Sequence, residues 1–155
     1  MAETKAARNN PAPFLYESDF YRWIGATAQH LRNRDASALD WENLTEEIED
    51  LGRSASRELR NRLRVLMMHL LKWQFQPELR DGSTWRATIR EHRRQIASLF
   101  EQSPSLKPQL ARVWSKVYRD AAEDAADEMG TDKNALPVSC PFTREQVLDL
   151  EFLPQ

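Results

Sequence analysis

Apolar positions along this chain recur at spacings of three and four, the period of an amphipathic helix, and no stretch offers a good strand. The first run places Phe20, Trp23, Thr27 and Leu31 on one side of a helix from about Ser18 to Asn33. The second is the longest. Leu44, Ile48, Leu51, Ala55, Leu59, Leu63, Leu66, Leu70 and Trp73 cover 29 residues in eight steps. That is about 3.6 residues per turn, so the stripe belongs to a straight α-helix. Asp40 is positioned to cap its start and Pro77 to stop it. Gly52 falls inside this run without shifting its phase, which predicts one continuous helix through it.

A third helix is predicted from about Thr84 to Gln102, capped by Ser83, with Trp85, Ile89, His92, Ile96 and Leu99 inward. A fourth starts near Ser103, Pro104 or Ser105, or only at Pro108, since proline suits a first helical turn. Leu110, Val113, Trp114, Val117, Ala121 and Ala125 form its core face, and Gly130 ends it. Thr143 and Gln146 form a capping box for a short last helix to about Leu150. The expected fold is therefore all-α: a single-domain bundle of four main helices plus a short C-terminal one, with a long central helix. Residues 1–13 are polar, end in Pro11 and Pro13, and are expected to be a flexible lead-in to one domain over 14–155.

Composition narrows the chemistry. One cysteine in 155 residues excludes an internal disulfide framework and a cysteine-rich zinc module. The densest apolar stretch, Val65 to Leu71, is far short of the roughly twenty residues of a membrane span. A cytoplasmic protein with Cys140 reduced is the expectation. The histidines, His30, His69 and His92, show neither His-x-x-x-His nor Glu-x-x-His spacing, so neither a metal nor a cofactor is expected. Cys140 has no basic neighbour before Arg144 and reads as a packed thiol rather than a nucleophile. No catalytic residue is recognisable, and the expected function is not enzymatic.

Charge is segregated. Residues 40–50 carry net −6, residues 51–94 net +7 and residues 120–155 net −7, within a total of −2. Glu42, Glu46, Glu49, Arg53, Arg57, Arg60 and Arg64 follow the helical period about 200° from the apolar stripe. Arg86, Arg90 and Arg94 form a second row on the third helix, with Arg93 beside it. Arg53, Arg57, Arg60, Arg64, Arg86, Arg90 and Arg94 are thus a candidate interaction surface, and the two rows merge if the helices pack side by side. The acids at 120–128 are placed to neutralise it. Glu46, Asp50, Lys72 and Arg86 are a candidate structural polar network.

Several segments carry a family resemblance. Tyr16-Glu17-x-Asp19-Phe20-Tyr21-x-Trp23 and Leu39-Asp40-Trp41-Glu42-Asn43-Leu44 are two of them. Others are Glu46-Glu47-Ile48-Glu49-Asp50-Leu51-Gly52 and His69-Leu70-Leu71-Lys72-Trp73-Gln74 with Pro77. Ser83-x-Trp85-Arg86-x-x-Ile89 and Cys140-Pro141-Phe142-Thr143 complete the set. Over residues 15 to 154 the chain resembles the bacterial domain-of-unknown-function family 29. The resemblance implies an all-helical bacterial protein, mostly found as a stand-alone domain, and carries no activity.

A protein-interaction or structural module is the function these observations favour. The alternative is a nucleic-acid-associated regulator, such as the neutralising partner in a two-gene system, using the arginine rows. The negative net charge makes nucleic acid the less favoured ligand. A helix of about 36 residues would span about 54 Å, against a diameter near 40 Å for a compact chain of this length. A homodimer through part of the first or second helix is therefore expected.

Overall fold

The computed structural model describes residues 12–155, and among them the fold is all-α. Its helices are α1 (Ala12–Ser18), α2 (Phe20–Arg32), α3 (Trp41–Phe75), α4 (Trp85–Gln102), α5 (Gln109–Met129) and α6 (Arg144–Leu148). Short 3-10 turns at Ala36–Ala38, Pro77–Leu79, Pro104–Leu106 and Lys133–Ala135 join them. Residues 1–11, most of the stretch expected to be a lead-in, lie outside the described residues. The chain divides into two compact units, Met1–Arg53 and Ser54–Gln155.

Local chemistry accounts for most helix ends. Asp19 caps α2 by accepting from the Arg22 amide at 3.0 Å. Asp40 caps α3: its carboxylate takes the Asn43 amide at 3.4 Å and the Asn43 side chain at 2.7 Å. Gly130 closes α5 at φ 65, where a side chain would strain the backbone. Thr143 and Gln146 form the expected capping box. One start differs from expectation. Thr84, not Ser83, occupies the cap position of α4, because the Ser83 hydroxyl is turned back to the Arg80 carbonyl at 2.9 Å. Of the starts open to the fourth helix the later one is taken: Pro104 opens only a 3-10 turn, and the regular helix begins at Gln109 after Pro108.

In the N-terminal unit, Tyr16, Phe20 and Trp23 form an aromatic cluster with ring centroids 5.0–5.7 Å apart. Tyr16 also donates its phenol to Glu47 Oε1 at 2.7 Å, which ties α1 to the first half of α3. Trp23, Thr27 and Leu39 are buried here. Two positions of the predicted α2 stripe, Phe20 and Leu31, are instead exposed.

The C-terminal unit holds the larger core. Leu59, Leu63, Leu66, Met67, Leu70 and Leu71 of α3 are buried. They pack with Ile89, Ile96 and Phe100 of α4 and with Leu110, Val117, Ala121 and Ala125 of α5. The small alanines let α5 approach closely. Phe142 and Val147 close the core from the C-terminal segment, and Phe142 meets Phe152 edge-on at 6.0 Å. Tyr118 donates to the Pro137 carbonyl at 2.6 Å, fixing the loop after α5. Burial pushes its phenol up to about 12.

α3 runs unbroken through Gly52. Arg57 and Arg60 are exposed, as their phase requires. Leu66 is wholly buried, so Leu66→Ala is expected to cost about 2–5 kcal/mol in denaturant unfolding. A change below about 0.5 kcal/mol, the size typical of a surface substitution, would show the phase to be wrong.

Candidate interaction surfaces

The first candidate surface belongs to the N-terminal unit. Phe20, Trp23, Ile24, Thr27, Ala28 and Leu31 of α2 face Leu44, Glu47 and Leu51 of α3 across a groove of about 410 Å³. Trp23 forms its floor, and its indole N–H finds no acceptor among the described residues. Glu47 is the carboxylate in the lining, and it is engaged by Tyr16. The Tyr16 phenol is pushed up to about 12, chiefly by that hydrogen bond. Phe20, Ile24, Leu31 and Leu51 line the groove yet remain 44–68% exposed, and Ile48 beside them is 60% exposed. The stripe predicted to be core is therefore open in the first half of α3. Periodicity placed these residues on one face and said nothing of what covers it.

The arginine rows are placed as follows. Arg53 pairs with Asp50 at 2.7 Å and Glu49 at 3.3 Å on its own helix. Arg64 pairs with Asp124 of α5 at 3.4 Å. Arg57, Arg60, Arg86, Arg90 and Arg94 are exposed and show no ion pair among the described residues. Arg57 shares a shallow groove with Glu58, Arg62 and His92, so the His92 side of α4 faces α3. Arg86 and Arg90 lie against Leu150, Glu151 and Leu153. His92 stands about 200° from Arg90 around α4. The two rows are thus held on different sides of α4 and do not merge.

The polar network has other partners than the expected ones. Lys72, buried at the C-terminal end of α3, pairs with Glu128 of α5 and lies 4.8 Å from the centre of the Trp85 ring. Asp50 is held by Arg53, three residues along the same helix. Glu46 and Arg86 are exposed without ion pairs among the described residues. The reason is proximity: α5 presents an acid beside the end of α3, and one helical turn already supplies Asp50 with a cation.

Arg93 is the polar residue that the sequence reading left among the surface arginines. It is 2% exposed. Its guanidinium donates to the carbonyls of Phe152 at 2.7 Å, Val147 at 2.8 Å and Gln146 at 3.1 Å. It thereby locks α6 and the following residues onto α4. Burial pulls its basicity down, opposed by Asp149 and Glu151 nearby. Its spacing, four after Ile89 and three before Ile96, was the available signal. Arg93→Met preserves bulk but strands three carbonyls, at an expected cost of about 3 kcal/mol or more. Faster hydrogen exchange over 146–152 than elsewhere in the unit is the accompanying readout; uniform protection would contradict the clamp.

His69 Nδ1 lies 2.8 Å from the Val65 carbonyl, one turn back. Burial lowers its pKa below the ordinary 6.5, the Lys72 charge adds to the effect, and the Val65 bond and Glu128 oppose it. His92 is lowered as well, again chiefly by burial, then by Arg62 and His69. The unfolded chain therefore takes up protons first as pH falls through about 6.5, and stability drops below that pH. Paired carboxylates such as Asp35 act only at much lower pH, being held below 3.8. Between about pH 7.5 and 5.5, near the histidine range, His69→Gln is expected to flatten the fall in unfolding midpoint. An unchanged slope would exclude His69 as its source.

Cys140 is half-buried, and burial raises its pKa against a Phe142 backbone hydrogen bond. That environment disfavours the thiolate a nucleophile needs. Among the described residues no group of three or more His, Cys, Asp or Glu could hold a metal ion. No described helix is long and apolar enough to cross a membrane.

A helical chain whose N-terminal unit holds an open apolar groove and whose C-terminal unit holds a clamped core is the class this geometry defines. The chain belongs to the DUF29 family, a domain of unknown function, whose model matches residues 15–153. No curated protein and no solved structure matches it.

Proposed function

We propose that this protein is a non-enzymatic interaction module of the cytoplasm, docking through the groove between α2 and the first half of α3. One observation carries the reading: Phe20, Ile24, Leu31 and Leu51 line a single groove and stay 44–68% exposed, with Ile48 beside them on α3 at 60%. Contiguous apolar surface of this kind ordinarily marks a binding site. The lone thiol of Cys140, half-buried and hard to ionise, suits a reducing compartment.

Nucleic-acid binding has less support. Five exposed arginines without ion pairs favour it, but they are divided between two sides of α4, and the net charge is −2. Phosphate contacts need a continuous cationic face to accumulate affinity.

The test is cross-linking in the native cell, comparing the wild-type chain with the double variant Ile48→Arg, Leu51→Arg. Both positions are exposed, so the variant is expected to fold. Partners held by the groove, another copy of this chain included, should fall at least about tenfold, or about 1.4 kcal/mol. Retention of every partner by a folded double variant would refute the reading.

A further inference from the structure

We propose that the occupant of the α2–α3 groove is the same groove of a second copy of this chain, related by a two-fold axis. The proposal rests on the interaction reading above and names its partner.

Area is the first argument. Phe20, Ile24, Leu31 and Leu51 in the lining and Ile48 beside them on α3 are 44–68% exposed. With about 200 Å² for a large side chain, these five expose on the order of 500 Å². Two copies then bury on the order of 1,000 Å² together, the size at which a specific interface begins.

Charge is the second. Glu42, Glu46 and Glu49 recur at four and three residues on the side of α3 opposite Leu44, Ile48 and Leu51. They point away from the groove. Glu47, in the lining, already accepts the Tyr16 phenol. Two copies therefore meet apolar face to apolar face, with no row of acids opposed to its own image.

Shape is the third. Ala28, one turn after Ile24 on α2, is a small residue of the groove lining. Small residues on an open face admit a second helix at the usual 8–10 Å axial distance. Two helices sharing one open apolar face are half of a four-helix arrangement. A two-fold axis completes it and closes the assembly, because the same patch serves both partners.

The experiment uses the full purified chain. Light scattering at about 10 and about 100 µM, a range over which a weak dimer would dissociate, should give twice the 18.1 kDa chain mass. The double variant Ile48→Arg, Leu51→Arg should give 18.1 kDa with an unchanged helical circular dichroism spectrum. A second arm places the contact without disrupting it. In a Cys140→Ser background, Ile48→Cys should react with a bulky maleimide about tenfold more slowly at about 100 µM than after dilution to about 10 nM, where the dimer comes apart. A wild-type monomer at both concentrations overturns the second copy as occupant. Partner capture through Ile48 and Leu51 would then leave the interaction reading standing, and absence of any such partner would remove both. A dimer that survives the double variant, with equal labelling at both concentrations, also overturns the proposal, since another surface must hold it.

Discussion

The apolar period of α3 runs on through both units, and what each unit lays over its own stretch decides whether it becomes core or surface. Every element packed against α3 must meet the stripe where the period puts it. From Leu59 to Leu71 it is covered: α4, α5 and the C-terminal segment close over it, and the seven leucines and methionines there are buried. From Leu44 to Leu51 the same stripe continues, and Ile48 and Leu51 stand in the open. Buried core and open groove are thus two stretches of one pattern, distinguished only by what lies against them.

Two buried cations show how the C-terminal unit admits charge. Lys72 has an acid, Glu128, and an aromatic face, Trp85. Arg93 has no carboxylate in hydrogen-bond range and is satisfied by three backbone carbonyls, whose lone pairs point at its planar fork. A lysine could not span those three acceptors from one rigid plane. The acidic residues of α5 do part of the neutralising that their position suggested, through Arg64–Asp124 and Lys72–Glu128. Others are spent locally, as in Lys116–Asp120 and Lys133–Glu123, which leaves the exposed arginines uncompensated.

Much of this was legible in the sequence. Capping signals at Asp40, Gly130 and Thr143 and the 3.6-residue period of the leucines gave the elements and the inward face of α3. Four features were hidden for physical reasons. α1 was missed because Pro11 and Pro13 read as breakers, although proline is tolerated in a first helical turn. Arg93 was read as surface because charge overrides position in a hydropathy pattern; its three acceptors lie 53 to 59 residues away. The openness of Ile48 and Leu51 was invisible because periodicity reports which residues share a face, never what is laid over it. Lys72 was given the wrong partner for the same reason: a charge has no preference in sequence, only in space.

The Arg93 clamp also sets an order in time. Residues 59 to 125 supply nearly all of the large core, and during synthesis they leave the ribosome well before residues 146–152. Until those carbonyls arrive, burying the α4 face would bury a bare guanidinium, which is strongly unfavourable. The same segment that covers this face of α4 brings the acceptors with it, so the guanidinium passes from water to carbonyls in one docking step. A residue that looks like a defect in an apolar stripe is thus a socket cut for one particular segment of the chain.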